Sequence, residues 1–195
     1  MNKSELKDIA ESLIDTFEFA GEESIKLYKK GLKIKIKKDN SPVSNGDLKV
    51  NSLITNKILE LTPNIPIISE ETVNMDIKNK SNIFWLIDPI DGTREYIAGK
   101  EEYTLNAALV IDKIPVLGLV GAPKKNRLFY SFNPGESYLI ENNTKRKIDC
   151  TKKQPKNKIV ALSSTSNPSD KILDILKLYK VNNIVKMSSS YKFCV

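Results

Sequence analysis

Asp88-Pro89-Ile90-Asp91-Gly92-Thr93 sets two carboxylates three residues apart and a hydroxyl close behind them. The stretch follows Ile83-Phe84-Trp85-Leu86-Ile87, which reads as a buried strand, so Asp88 stands at a rigid strand end. Pro89 suits the second position of a β-turn. Such a turn brings its first and fourth residues within about 7 Å and would aim Asp88 and Asp91 at one spot. Gly92 permits positive φ or close approach of a ligand. Thr93 adds its hydroxyl, and the backbone N–H groups after it could face an anion. Two converging carboxylates repel each other unless a proton or a cation intervenes. Hard oxygen ligands favour Mg2+, which usually keeps waters and shares phosphate oxygens. Glu70 and Glu71 close an earlier short strand and could complete the cluster. Taken alone, the six residues fit an ordinary acidic turn about equally well. The second acidic strand end favours a site.

The composition removes other chemistry. The 195 residues hold no His, so a Ser-His-Asp triad, a His-ligated zinc site and an imidazole base are excluded. Cys150 and Cys194 form no CxxC pair, which argues against a disulfide framework and fits a reducing cytosol. The longest apolar candidate for a membrane span, Ile114 to Pro123, is too short, and acidic residues stand where a signal peptide would have its apolar run. Net charge is +7, yet Lys outnumbers Arg 28 to 3 and is scattered, as on a solvated surface. A basic nucleic-acid-binding module is the weakest candidate function, since no reader motif accompanies the charge.

The positioning elements follow from periodicity. Leu6, Ile9, Ala10, Leu13, Ile14 and Phe17 recur at helical spacing, with Ser4 as the expected N-cap and a run to about Lys30. Lys33-Ile34-Lys35-Ile36-Lys37 alternates like a strand with one wet face. A polar loop, Lys38 to Asp47, precedes a second amphipathic helix carrying Leu48, Leu53, Ile54, Ile58 and Leu61 and ended by Pro63. Ile65 to Ser69 reads as a short strand. Thr104 to Ile111, Val116 to Val120, Arg127 to Phe132 and Ser137 to Glu141 read as an antiparallel meander. Periodicity is weakest from Thr144 to Lys158, around Pro155, where a domain boundary is expected. Beyond it, Ile159 to Leu162, Asp170 to Tyr179 and Asn183 to Met187 form a strand-helix-strand unit. Periodicity by itself gives mixed α/β.

Ile68-Ser69-Glu70-Glu71 followed by Trp85-Leu86-Ile87-Asp88-Pro89-Ile90-Asp91-Gly92-Thr93 resembles the inositol monophosphatase superfamily of magnesium-dependent, lithium-sensitive phosphatases. Lys38-Asp39-Asn40-Ser41-Pro42-Val43-Ser44-Asn45-Gly46-Asp47 is similar to a pattern of its 3'(2'),5'-bisphosphate nucleotidase branch, the CysQ-type enzymes. So is the stretch from Gly92 to Ile97 that continues through Tyr103 to Leu109 and on to Pro123. The resemblance implies a layered α-β-α-β-α sandwich of the inositol monophosphatase/fructose bisphosphatase type. Residues 1–143 would be an N-terminal α+β metal-binding domain and 144–195 a partial C-terminal α/β domain. It implies Mg2+ on Glu70, Asp88, Asp91 and the Ile90 carbonyl, with Glu70 also counted as catalytic. Asp47 and Thr93 would orient and deprotonate the attacking water. Gly92 and Thr93 would offer N–H groups to the scissile phosphate, and Ser189 and Lys192 would contact the nucleotide.

The implied reaction converts 3'-phosphoadenosine 5'-phosphate to AMP and phosphate by metal-activated water, in sulfur metabolism. The implied setting is cytoplasmic, with room for peripheral attachment to the inner membrane and for a homodimer. The expected partner is a small nucleotide bisphosphate, not nucleic acid. The same superfamily offers an inositol-phosphate or sugar-phosphate phosphatase as the alternative, against which Ser41-Pro42-Val43 argues.

Four departures bear on activity. The later Trp-Asp element of the family, whose Asp binds a second metal, has no counterpart, because the only Trp is Trp85. The chain stops at Phe193-Cys194-Val195, where a family helix begins, so an incomplete second domain with uncovered apolar surface is expected. A catalytically impaired metal- or phosphate-binding fragment is therefore a further candidate. Ser44 replaces the usual Thr and keeps its hydroxyl, while Ser163 to Asn167 lacks a His often found there in the branch.

Overall fold

A computed structural model describes residues 1–72, 81–149, 151, 159–164, 169–181 and 183–195. Cys150, Pro155 and residues 165–167 of the Ser163 to Asn167 stretch lie outside that set. Among the described residues the order is α1 (Lys3–Lys30), β1 (Ile34–Ile36), β2 (Pro42–Ser44), α2 (Asn45–Leu61), β3 (Ile67–Ser69), β4 (Ile83–Asp91) and α3 (Thr93–Ile97). Then come β5 (Thr104–Ile111), β6 (Ile114–Ala122), β7 (Arg127–Ser131), β8 (Ser137–Glu141), β9 (Thr144–Lys147), β10 (Val160–Ser163), α4 (Asp170–Leu178) and β11 (Asn183–Lys186). Short 3-10 turns cover Pro123–Lys125 and Ser190–Phe193.

β3 to β9 form a seven-stranded mixed sheet in sequence order, with β3 parallel to β4 and the rest antiparallel. The meander is as the alternation predicts. Thr144–Lys147, in the region of weak periodicity, is a seventh strand on β8, and all four of its residues are exposed. A charged, wet edge of this kind resists pairing with another sheet.

α1 and α2 pack on one sheet face. Leu6, Ala10, Leu13 and Phe17 of α1 and Val50, Ile54 and Ile58 of α2 meet Trp85, Ile87, Leu105, Leu109, Leu117 and Leu119. Leu48, expected inward, is half exposed. The opposite face holds a smaller cluster of Ala122, Phe129, Leu139 and Tyr191, with Met187 and Cys194 against it. The C-terminal segment therefore covers the face that the helices do not.

The N-cap of α1 is Asn2, not Ser4. Its side-chain oxygen accepts from Glu5 N at 3.0 Å and Glu5 accepts from Asn2 N at 2.8 Å, a reciprocal box that Ser4 could not make with the same acid. The expected polar loop contains β2, which pairs antiparallel with β1, so the segment before Asp47 is a tight hairpin.

β10 and β11 pair in parallel through α4, as the strand-helix-strand pattern predicts. Ile172, Leu173, Ile175 and Leu178 of α4 are exposed. No helix among the described residues is long and apolar enough to cross a membrane. Cys194 is a free thiol whose pKa is pushed up to about 11 by burial, which makes it a poor nucleophile.

Candidate active site

Two registers assemble the acids. β3 runs parallel to β4 with Ser69 opposite Ile87, so the next residue on each strand, Glu70 and Asp88, emerge side by side. Glu70 N donates to Ile87 O at 3.1 Å. The buried Ser69 hydroxyl donates to Asn51 Oδ1 on α2 at 2.6 Å, which ties this strand end to the helix layer.

The second register corrects the expected β-turn. β4 continues as a strand through Asp91. Asp88 faces Asn106 and Asp91 faces Thr104, so two residues of β4, Pro89 and Ile90, oppose Leu105 alone. That is a β-bulge. In an unbroken strand, residues three apart point to opposite faces. One inserted residue restores the phase, and Asp88 and Asp91 share a face because Asn106 and Thr104, two apart, do. Pro89 is tolerated because a bulge breaks the ladder where its missing N–H would otherwise be needed. Trp85, expected as part of a motif, is fully buried, and its indole N–H donates to Thr62 Oγ1 at 3.0 Å. It locks β4 against the end of α2.

Asp47 arrives from a different direction. Ser44 is the N-cap of α2, and its hydroxyl donates to Asp47 Oδ2 at 2.6 Å while its backbone N–H donates to the same oxygen at 2.9 Å. Asp47 is wholly buried. Thr93, opening α3, donates from Oγ1 to Asp47 Oδ1 at 2.9 Å and lies 3.1 Å from the Ile90 carbonyl oxygen. Gly92 precedes it with φ +91°, a left-handed conformation that L side chains rarely adopt.

Gly46 is required for another reason. A Cβ there would lie 2.4 Å from Tyr96 Oη, which is held by the Ser24 carbonyl at 2.6 Å. Gly46→Ala is therefore expected to destabilise the protein by about 2 kcal/mol in chemical denaturation, because buried Tyr96 has nowhere to retreat.

The electrostatics match a cluster short of positive charge. Burial pushes the Asp88 carboxyl up to about 7, and the charges of Glu70 and Asp91 add to the effect. Asp88 Oδ1 is buried with no hydrogen-bond partner. The other acids have taken protein donors. Glu70 Oε1 accepts from Lys37 Nζ at 3.0 Å, and Lys37 also reaches the buried Glu71 at 2.8 Å. Asp91 Oδ2 accepts from Ser190 N–H. Accordingly, among the described residues no three His, Cys, Asp or Glu side chains are arranged to hold an ion outright. The unpartnered Asp88 oxygen and the all-oxygen donor set of Glu70, Asp88, Asp91 and the Ile90 carbonyl nevertheless fit a hard divalent cation.

The nucleotide-contact candidates are less open. Ser189 is buried, with its Cβ 3.6 Å from where a Cβ on Gly92 would stand. Lys192 Nζ donates to the Ser189 carbonyl at 2.6 Å and sits over the Phe193 ring, so its charge is spent on its own turn. Lys37 was legible only as the wet face of an alternating strand, with no signal that it meets Glu70 and Glu71. A cleft of about 140 Å³ between α1 and β6 to β8, lined by Glu18, Glu22, Asn126 and Asn142, contains none of these residues.

A family model described as the inositol monophosphatase family matches residues 4–195. The chain belongs to the inositol monophosphatase family. A curated relative named 3'(2'),5'-bisphosphate nucleotidase CysQ, from Buchnera aphidicola, is 33% identical over 179 residues, covering 90% of this chain and 66% of its own. The protein of the same name from Escherichia coli K12 is 30% identical, covering 90% and 71%. The chain thus spans about two thirds of the length of the curated relatives it matches. The crystal structure of CysQ from Bacteroides thetaiotaomicron superposes with a TM-score of 0.74 at 27% identity, over 95% of this chain and 74% of that one. An IMPase/NADP phosphatase complexed with Mg2+ and phosphate shares the fold, at 16% identity and a TM-score of 0.73, over 94% of this chain and 68% of that one.

Proposed function

We propose that this chain carries the metal-dependent phosphatase site of a 3'(2'),5'-bisphosphate nucleotidase, removing the 3'-phosphate of 3'-phosphoadenosine 5'-phosphate. The observation that carries it is the Thr93 to Asp47 contact, set beside an acid whose buried oxygen has no partner. The curated relatives' names supply the substrate class.

Glu70, Asp88, Asp91 and the Ile90 carbonyl would hold the cation. When bound, it supplies Lewis-acid chemistry at the phosphoryl oxygens and acidifies water. The chain's own residues do the rest. Two donors from Ser44 fix Asp47 Oδ2 and leave Oδ1 turned to Thr93. With its single proton directed to Asp47, Thr93 Oγ1 can accept a proton from the attacking water and pass its own to Asp47 Oδ1. No imidazole is needed, which accords with the absence of His. Backbone N–H groups of Gly92 and Thr93 would receive phosphate oxygens. Under the same proposal, residues 1–143 supply the acids, and 144–195 would reach the nucleotide with Ser189 and Lys192 once Lys192 releases the Ser189 carbonyl.

The test is phosphate release from 3'-phosphoadenosine 5'-phosphate with Mg2+, beside inositol 1-phosphate. Faster release from the nucleotide and a fall of about 100-fold in Asp91→Asn are expected. Parent-like rates in Asp91→Asn reject the site, and preference for inositol 1-phosphate rejects the substrate class.

A further inference from the structure

We infer that Glu102 is a positioning residue that holds Asp91 in place through the serine turn 188–190. This deepens the proposed function, since it rests on Asp91 as a ligand of the cation.

The sheet face that carries Asp88 and Asp91 also carries Thr104 and Asn106, their register partners on β5. The serine turn lies on that face. Ser190 Oγ donates to Asn106 Oδ1 at 2.8 Å and takes the Thr104 hydroxyl at 2.7 Å, while Ser190 N–H donates to Asp91 Oδ2. One Asp91 oxygen is thus committed to a peptide N–H, which leaves Oδ1 for a ligand role.

The turn does not take this shape freely. Ser189 sits at φ +53° and ψ −174°, a region costly for any residue with a Cβ. Something must hold the chain on both sides of it. On the far side, the 3-10 turn is fastened by Tyr191, whose hydroxyl accepts from Arg127 at 2.6 Å. On the near side, the fastening is Glu102. Its Oε2 accepts from Ser188 N at 2.9 Å and from Ser188 Oγ at 3.0 Å, and its own carbonyl lies 3.4 Å from the same hydroxyl. Two donors on one carboxylate oxygen make a strong, directional anchor. Glu102 touches none of the acids or Thr93 through any hydrogen bond among the described residues, so its influence runs through Ser188 and the Ser190 amide. It stands two residues before Thr104, so the strand that registers Asp91 also registers its clamp.

Residues that orient a metal ligand from behind typically change metal affinity by 10- to 100-fold when lost. In titration calorimetry of the full chain with Mg2+ alone, Glu102→Ala is expected to weaken binding by about tenfold. Glu102→Gln, which keeps an acceptor oxygen, should stay within about threefold of the parent, and Ser188→Ala should fall between them. Hydrogen exchange at the Ser190 amide should quicken at least about tenfold in Glu102→Ala and remain slow in Glu102→Gln.

A merely structural clamp would lower Tm and leave Mg2+ affinity unchanged. If Glu102→Ala binds Mg2+ like the parent while Asp91→Asn does not bind, the positioning role is overturned and the metal site stands. If Asp91→Asn itself binds Mg2+ like the parent, the underlying reading of Asp91 fails. Should Glu102→Ala not fold, Ser188→Ala decides, and parent-like Mg2+ binding and Ser190 exchange in that variant overturn the inference.

Discussion

Asp47→Asn is expected to lower phosphate release by about a thousandfold while the fold survives, since removing a positioned general base typically costs 10²- to 10⁴-fold. The physical reason is local. Asp47 Oδ2 is saturated by the Ser44 N–H and hydroxyl, and Oδ1 is the Asp47 oxygen that faces Thr93. An amide keeps one acceptor oxygen but replaces the other with a donor, so it cannot satisfy Ser44 and accept from Thr93 together. It also cannot take up a proton. The same change removes a charge-assisted cap from α2, which should cost about 1 kcal/mol in denaturant titrations. Thr93→Val preserves the branched shape and deletes the hydroxyl, and its rate should fall to a similar degree. Because the two residues act as a unit, the double variant should be no slower than Asp47→Asn alone. Independent, multiplying losses would show that the pair does not share one proton path. A rate within tenfold of the parent for a folded Asp47→Asn would remove Asp47 from the chemistry.

Asp88→Asn should do the reverse to stability. Without metal, the parent buries Asp88 beside Glu70 and Asp91 with one oxygen unpartnered. The neutral amide removes that repulsion and can donate to Glu70. The metal-free variant should be more stable than the metal-free parent by about 2 kcal/mol at pH 8, a value discounted for partial exposure. That corresponds to a Tm higher by roughly 4 to 8 °C. The sign follows from linkage. The folded carboxyl is raised from 3.8 to about 7, so in the parent the folded state holds the proton more tightly than the unfolded one. The parent's contribution is fully present below 3.8 and is lost as pH rises through about 7. The advantage of Asp88→Asn should therefore shrink as pH is lowered from 8 toward 4. Added Mg2+ should raise the parent's Tm by mass action and leave that of the variant unmoved. Equal stabilities at pH 8, or a variant still stabilised by Mg2+, would show that Asp88 is not the charge-limited member of the site. A gain in stability at the expense of ligand binding is the usual mark of a strained functional group.

How much of this was legible in advance differs from element to element. The helical spacing of Leu6 to Phe17 and the alternation from Thr104 to Glu141 reported α1 and the meander because burying one face imposes period on the sequence itself. The candidate groups Glu70, Asp88, Asp91 and Thr93 and the exclusion of imidazole chemistry were also plain in the residues, whereas Asp47 was implied only by the family resemblance.

Their mutual placement was not. Pro89 reads equally as a turn or a bulge, and only pairing with β5 selected the bulge that turns Asp88 and Asp91 to one face. Lys37 binds Glu70 and Glu71 across more than thirty residues of chain, and Ser190 meets Asp91 across about a hundred. Local composition carries no record of such contacts, because they arise where strands from distant parts of the chain are brought into register. Residue types and periodicity therefore determined which chemistry was available and which elements would hold it. The tertiary structure alone decided which carboxylate oxygens are occupied by protein donors and that the buried Asp88 Oδ1 is left without one, because that depends on the direction of each side chain once the sheet has closed around it.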